Sequence, residues 1–140
     1  MPPPNGVPRS SVYAEGQREA MEYKWIESQR AGCDLGPTCI NRWVSDHWNG
    51  FLRARWMEHL QGKTYWLELD RNDFGLLVHE FQGEEALLDR ILERMKEGKE
   101  NLDVINWALD WGLPLDRVRN ILERLDVNSR RLSCHFGGHN

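Results

Sequence analysis

The sequence lacks the features that mark membrane, secreted and disulfide-stabilised proteins. Neither the pattern of a signal peptide nor an apolar run of about 18 residues, the minimum for a membrane-spanning helix, appears in these 140 residues. Its three cysteines are odd in number and few for a disulfide framework. A net charge of -4 argues against a nonspecific binder of polyanions. We therefore expect a soluble, cytoplasmic protein with reduced thiols and no membrane partner.

Catalytic motifs are missing as well. We find no Ser/His/Asp signature, nucleophile elbow or phosphate-binding loop. A di-iron helical bundle needs two Glu-x-x-His pairs. The sequence has none, and in Glu58-His59 and His79-Glu80 the two residues are adjacent, which points their side chains apart on a helix. We therefore do not expect an enzyme.

Tryptophan, in contrast, is abundant. The chain has seven tryptophans in 140 residues, and four of them lie between positions 43 and 66. The first half of this stretch places Trp43, Trp48 and Phe51 on one helical face and charged side chains on the other. Beyond Gly50 the apolar positions rotate around the helix. This pattern predicts a central helix, residues 43–60, with either a bend near Gly50 or partners on two sides.

Helical periodicity recurs through most of the remaining chain. It predicts an all-α fold, a compact bundle of five to six helices, in one domain covering residues 10–133. Residues 1–9 are rich in proline and are expected to be disordered, and residues 134–140 to form a flexible tail. A first helix, capped by Ser10 or Ser11, is expected to pack on the central helix through a stripe of Met21, Trp25 and Ile26. Residues 64–69 alternate like a strand but have no evident partner strand.

A helical protein with excess aromatic residues and no catalytic motif is typical of an interaction module. We expect a regulatory or adaptor protein that binds another protein or a second copy of itself. The narrow first helix cannot cover the whole central helix, so some aromatic rings there are expected to stay exposed. Arginine and tryptophan often dominate interface energies. The expected partner-binding residues are Trp43, Arg53, Arg55, Trp56, Tyr65 and Trp66.

The last two helices allow a nucleic-acid-binding alternative. Ala108, Gly112 and Val118, surrounded by apolar residues, resemble the helix-turn-helix pattern. A DNA reader would use polar residues on and after the second helix: Asp116, Arg117, Arg119, Asn120, Arg124, Arg130 and Arg131. However, residues 99–140 carry six basic and six acidic side chains, so little counterion release is available. A buried helical hairpin is the favoured interpretation.

A metal- or haem-binding protein is the second alternative. The tail spacing Cys-His-x3-His is compatible with zinc, and the candidate ligands are Cys33, Cys39, Cys134, His135 and His139. Closing that site would require the turn before the central helix to meet the tail. Haem or iron could instead use His47, His59 or His79. For His47, which lies on the apolar face, a hydrogen-bonded core histidine is favoured over a ligand.

Overall fold

The computed structural model describes residues 8–134, and helices account for most of that range. Six α-helices and one pair of two-residue strands follow one another along the chain. In order, they are β1 (Arg9–Ser10), α1 (Val12–Ala31), α2 (Pro37–Leu60), β2 (Tyr65–Trp66), α3 (Leu76–Glu80), α4 (Glu85–Lys96), α5 (Asn101–Asp110) and α6 (Leu115–Leu125). A 3-10 turn, Val127–Ser129, follows α6. The predicted all-α bundle of five to six helices is confirmed.

Helix α2 is the centre of the bundle. It runs unbroken through Gly50 and packs against α1, α3, α4 and β2. The sequence predicts either a bend near Gly50 or partners on two sides, and the structure shows the second. Its buried side chains include the largest in the core, among them Trp48, Trp56 and Met57. The Nε1 groups of Trp48 and Trp56 donate to the carbonyls of Leu132 and Leu125, at 2.8 and 3.0 Å.

Helix α1 packs on α2 through small residues. Val12, Gly16 and Ala20 are buried, one turn apart on the same face. The glycine and the alanine let two helix backbones approach closely. The expectation that Met21, Trp25 and Ile26 form the buried stripe is wrong, because they lie outside this face and are exposed. Ser11 caps α1 as predicted, since its side chain accepts a hydrogen bond from the Ala14 amide.

The strand pair corrects two further expectations. Arg9 and Ser10 pair in parallel with Tyr65 and Trp66, so the extended segment does have a partner. Arg9 therefore belongs to the folded domain rather than to a disordered end; residues 1–7 lie outside the described range. A sequence search for strands misses a partner that is only two residues long. Next to the strand pair, a side chain also holds the two segments together. Glu68 accepts hydrogen bonds from the Ser11 hydroxyl at 2.6 Å and the Val12 amide at 2.7 Å.

Helices α4, α5 and α6 close the other side of the core. Val104 and Ala108 of α5 and Val118 and Ile121 of α6 are buried. The two helices are joined by a tight turn in which Gly112 has a φ of 65°, a conformation that suits glycine. The expected C-terminal hairpin is therefore present.

Candidate functional site

The aromatic residues predicted to bind a partner are used inside the protein. Trp43, Trp56, Tyr65 and Trp66 are all buried. The expectation that some of these rings stay exposed is wrong, because β2, α3 and α4 pack on α2 in addition to α1. These four rings therefore contribute to the core.

The two predicted anchor arginines also have intramolecular partners. Arg53 donates to the Lys99 carbonyl at 3.1 Å and lies 3.3 Å from Glu100, so it links α2 to the turn before α5. Arg55 pairs with Glu58 and packs over the Phe51 ring, with 4.6 Å between its guanidinium carbon and the ring centre. Both side chains are largely shielded from solvent. Neither is thus presented as a free binding group.

An exposed apolar surface does occur on the outer side of α1. Trp25 is 66% exposed, Met21 47% and Ile26 44%. We refer to these three residues as the Trp25 surface. Next to them lies an open cleft of about 560 Å³, formed by the second half of α1 and the turn after it. The cleft is lined by Met21, Lys24, Trp25, Ser28, Gln29, Gly32, Cys33 and Asp34.

Charged pairs of both signs surround the Trp25 surface. Arg18 lies 3.0 Å from Glu22, and Lys24 lies 3.6 Å from Asp34 across the cleft. A hydrogen bond from the Gly36 amide, followed by the charge of Lys24, lowers the pKa of Asp34 below its usual range. The turn is held to the helix because Ser28 Oγ accepts from the Leu35 amide at 3.1 Å. The cleft therefore has an apolar centre and a rim of balanced charge.

A second group of exposed apolar residues lies on and after α5. Leu102, Leu109 and Trp111 are each more than half exposed. Arg90 lies over the Trp111 ring, 5.8 Å from its centre, and so shields one face of it.

The residues of the nucleic-acid alternative are only partly available. Arg117 lies 3.0 Å from Glu84, and Arg124 forms a two-pronged ion pair with Glu80. Arg130 is half-buried and packs over the Trp56 ring at 3.9 Å. Asp116, Arg119, Asn120 and Arg131 are exposed. Binding phosphate through the first two arginines would require breaking their ion pairs, which weakens the counterion-release term.

The best-defined polar group in the structure surrounds His59, at the end of α2. We name His59, Tyr65, Asp70 and Asp73 the His59 cluster. The Nε2 atom of His59 lies 3.2 Å from Asp70 Oδ1 and 3.5 Å from Asp73 Oδ1. Tyr65 donates its hydroxyl proton to the other Asp70 oxygen at 2.5 Å. His59 is fully buried, and Asp73 nearly so.

The two carboxylates of the cluster are stabilised in their charged form. Burial alone would raise the pKa of Asp70, but hydrogen bonds from Tyr65 and His59 outweigh it and lower that pKa. For Asp73, burial is likewise outweighed by the His59 ring, by the Arg71 amide and by the charge of Arg130, so its pKa is also lowered. Both groups therefore remain ionised well into the acid range.

His59, Asp70 and Asp73 place three potential metal-ligand atoms within 4.8 Å of one another. However, the hydrogen bond that the His59 ring makes on its other side, at Nδ1, does not suit a metal ligand. Nδ1 of His59 accepts from the Trp66 amide at 3.1 Å, so a neutral ring carries its proton on Nε2, the nitrogen that faces the carboxylates. A histidine that binds metal through Nε2 normally donates from Nδ1. The cluster therefore fits a structural hydrogen-bond network better than a metal centre.

The predicted zinc ligands do not form a cluster within the described residues. Cys33 is exposed, Cys39 is buried and Cys134 is partly buried, and residues 8–134 contain no metal-ligand group that includes them. Burial raises the pKa of Cys134 to about 11, which disfavours the thiolate form that zinc requires. His135 and His139 lie outside the described residues.

The three histidines considered as haem or iron ligands differ in solvent exposure. His47 and His79 are exposed, whereas His59 is enclosed by the core. The expectation that His47 is a core histidine is wrong; its ring lies at the edge of the core beside Tyr23 and Trp43, with centres 5.7 and 6.2 Å away. The core histidine is His59, and the sequence signal that could have identified it is the pair of aspartates shortly after the helix end.

Comparison with protein-family models, with curated proteins and with solved structures gives no match. Within residues 8–134, each helix is too short or too polar to cross a lipid bilayer.

Proposed function

We propose that this protein is an interaction module that binds another polypeptide through the Trp25 surface and the adjoining cleft. The observation that carries the proposal is the exposure of Trp25, the largest apolar side chain on the outer side of α1. Water-exposed tryptophan is costly, and tryptophan is among the residue types that most often dominate interface energies.

The composition of the surface favours a polypeptide as the ligand. An apolar centre with a polar rim is the usual anatomy of a protein interface. The rim carries the pairs Arg18–Glu22 and Lys24–Asp34, so its charges balance. A polyanion such as nucleic acid, or an anionic membrane, would instead be matched by an excess of positive charge.

The size of the surface favours a weak contact. Helix α1 has 20 residues and is therefore about 30 Å long. One face of such a helix offers well under the roughly 800 Å² per partner that stable complexes bury. We therefore expect a weak contact, which suits a regulatory or adaptor role.

Site-specific photo-crosslinking tests the proposal. A benzophenone amino acid is placed at Gln29, an exposed residue that lines the cleft and leaves Trp25 in place, and separately at Asp89, an exposed position on α4, as the matched control. After irradiation in the native host, position 29 is expected to give discrete protein adducts that the control position does not give. Excess wild-type protein should compete the adducts away, whereas the Trp25→Ala variant should compete poorly.

The competition step separates specific binding from chance contact. Equal adduct patterns from both positions, or equal competition by wild type and Trp25→Ala, would remove the support for this surface. An adduct of twice the chain mass would identify the ligand as a second copy. Adducts formed only with nucleic acid would contradict a polypeptide ligand and favour the nucleic-acid alternative at the α5–α6 hairpin.

A further inference from the structure

His59 is fully buried, and both of its ring nitrogens are engaged. Nδ1 accepts the Trp66 amide proton over 3.1 Å, and Nε2 faces Asp70 and Asp73 over 3.2 and 3.5 Å. A ring that accepts at Nδ1 and donates at Nε2 is the neutral imidazole. This tautomer satisfies every polar atom of the ring.

A second proton on this ring would have opposite effects on its two sides. On the Nε2 side, the two carboxylates attract the positive charge. On the Nδ1 side, the new N–H would point at the Trp66 N–H, so two buried donors would face each other without an acceptor. Protonation therefore requires the Trp66 amide to move away, while the contacts to the carboxylates improve.

The charged and titratable groups around the ring agree with this assignment. The segment after β2 contributes Asp70 and Asp73, whose pKa values lie below the usual range, so both stay negative while a histidine titrates. Arg130, from beyond α6, lies 3.6 Å from Asp73 and offsets part of that charge. β2 contributes Tyr65, hydrogen-bonded to Asp70. The remaining neighbours are uncharged rings: Trp56 of α2 and Phe74.

The Trp66 amide belongs to the segment that anchors the N-terminal part of the domain. Trp66 and Tyr65 form β2, the only partner strand of β1 in the described chain. The next residue, Leu67, donates to the Ser10 carbonyl at 2.9 Å. Glu68 then binds the first turn of α1 through the Val12 amide. A shift of the Trp66 backbone therefore acts directly on β1 and on the start of α1.

We propose that His59 is a proton-sensitive latch: its protonation releases the Trp66 amide and, with it, strand β1 and the N-terminal anchor of α1. The hydrogen-bond, ion-pair and ring partners of His59 described above belong to α2, β2 and the segment after β2, so the core of α4, α5 and α6 is expected to stay folded. This latch is independent of the Trp25 surface, and either proposal can fail without the other.

Nuclear magnetic resonance on the full chain tests the latch. Ring ¹⁵N shifts of His59 report its protonation, and hydrogen exchange reports the protection of individual amides, from about pH 8 to about pH 5, the range in which histidines change charge. After correction for the intrinsic pH dependence of exchange, protection at Trp66 and Leu67 is expected to fall at least tenfold as His59 becomes protonated. The amides of Ile91 and Ile121, in α4 and α6, should keep their protection.

Two variants provide the controls. His59→Asn keeps an acceptor near the Nδ1 position but does not titrate, so protection at Trp66 should become independent of pH. His79→Gln removes an exposed histidine outside the cluster and should leave the transition unchanged.

Two results would overturn the latch. One is a His59 ring that takes up its proton while the Trp66 amide stays protected; the other is simultaneous loss of protection at Ile91 and Ile121, which indicates global unfolding. Both are read from the wild-type protein, so they remain decisive if His59→Asn does not fold.

Discussion

Replacing Trp56 with alanine is expected to be among the most damaging single substitutions in this protein. The side chain is 1% exposed at the centre of α2. Its Nε1 donates to the Leu125 carbonyl at 3.0 Å, its ring is stacked against His59, and Arg130 covers the ring at 3.9 Å. The substitution thus removes packing, a hydrogen bond and a cation–π contact together.

The expected loss follows from these contacts. A buried tryptophan removes about 200 Å² from water, which at about 25 cal/mol per Å² corresponds to about 5 kcal/mol before the alanine methyl is counted. Measured losses for Trp→Ala in cores are about 3–5 kcal/mol. Leaving the buried Leu125 carbonyl without its donor adds about 1–3 kcal/mol. We therefore expect the free energy of unfolding to fall by about 4–8 kcal/mol.

Urea denaturation followed by circular dichroism at 222 nm measures this loss without relying on tryptophan fluorescence. Trp25→Ala is the matched control, because that side chain is 66% exposed and should change the free energy of unfolding by less than about 1 kcal/mol. Equal losses for the two variants, or a loss below about 1 kcal/mol for Trp56→Ala, would refute the placement of Trp56 in the core.

Three further outcomes are expected. Gly62→Ala should lower the melting temperature more than Gly98→Ala. Both glycines have positive φ, but only at Gly62 would the new Cβ lie close to other atoms, 3.3 Å from the Gly75 backbone. Equal changes in melting temperature would contradict that close contact. Asp70→Asn should cost about 1.5–3 kcal/mol in urea denaturation, since it weakens charged hydrogen bonds to Tyr65 and His59; an unchanged midpoint would show that these bonds contribute nothing. Because the folded-state pKa of Asp70 is below its unfolded value, its contribution should be complete above about pH 4 and disappear as the pH falls through the lowered pKa, so the wild-type and Asp70→Asn stability curves should converge in acid.

The helical architecture could be predicted because its signals are local. Apolar spacing locates α1, α2 and α4. The ends of α1 at Ser11 and Gly32 and the start of α2 at Pro37 follow from capping and backbone chemistry. The short strand pair could not be predicted, because two residues carry no periodicity and their pairing joins positions that are far apart in sequence.

The orientation of α1 is what the sequence predicts least well, and the position of the candidate site depends on it. The large apolar side chains of α1 predict a buried stripe, whereas Gly16 and Ala20 are the buried residues and Trp25 lies outside. Small residues carry little hydrophobic signal, although they permit the closest helix contact. The His59 cluster is also hard to predict from the sequence, since its members come together only when the segment after α2 folds back over the helix end.

The unequal burial of the three cysteines gives this protein a built-in labelling position. Cys39 is enclosed in the core, and burial raises the pKa of Cys134 to about 11, so both thiols should react slowly with maleimides near neutral pH. Cys33 is exposed and lies on the wall of the cleft beside Trp25. A single dye can therefore be attached to the wild-type chain, where quenching by the neighbouring indole would report directly on whatever enters the cleft.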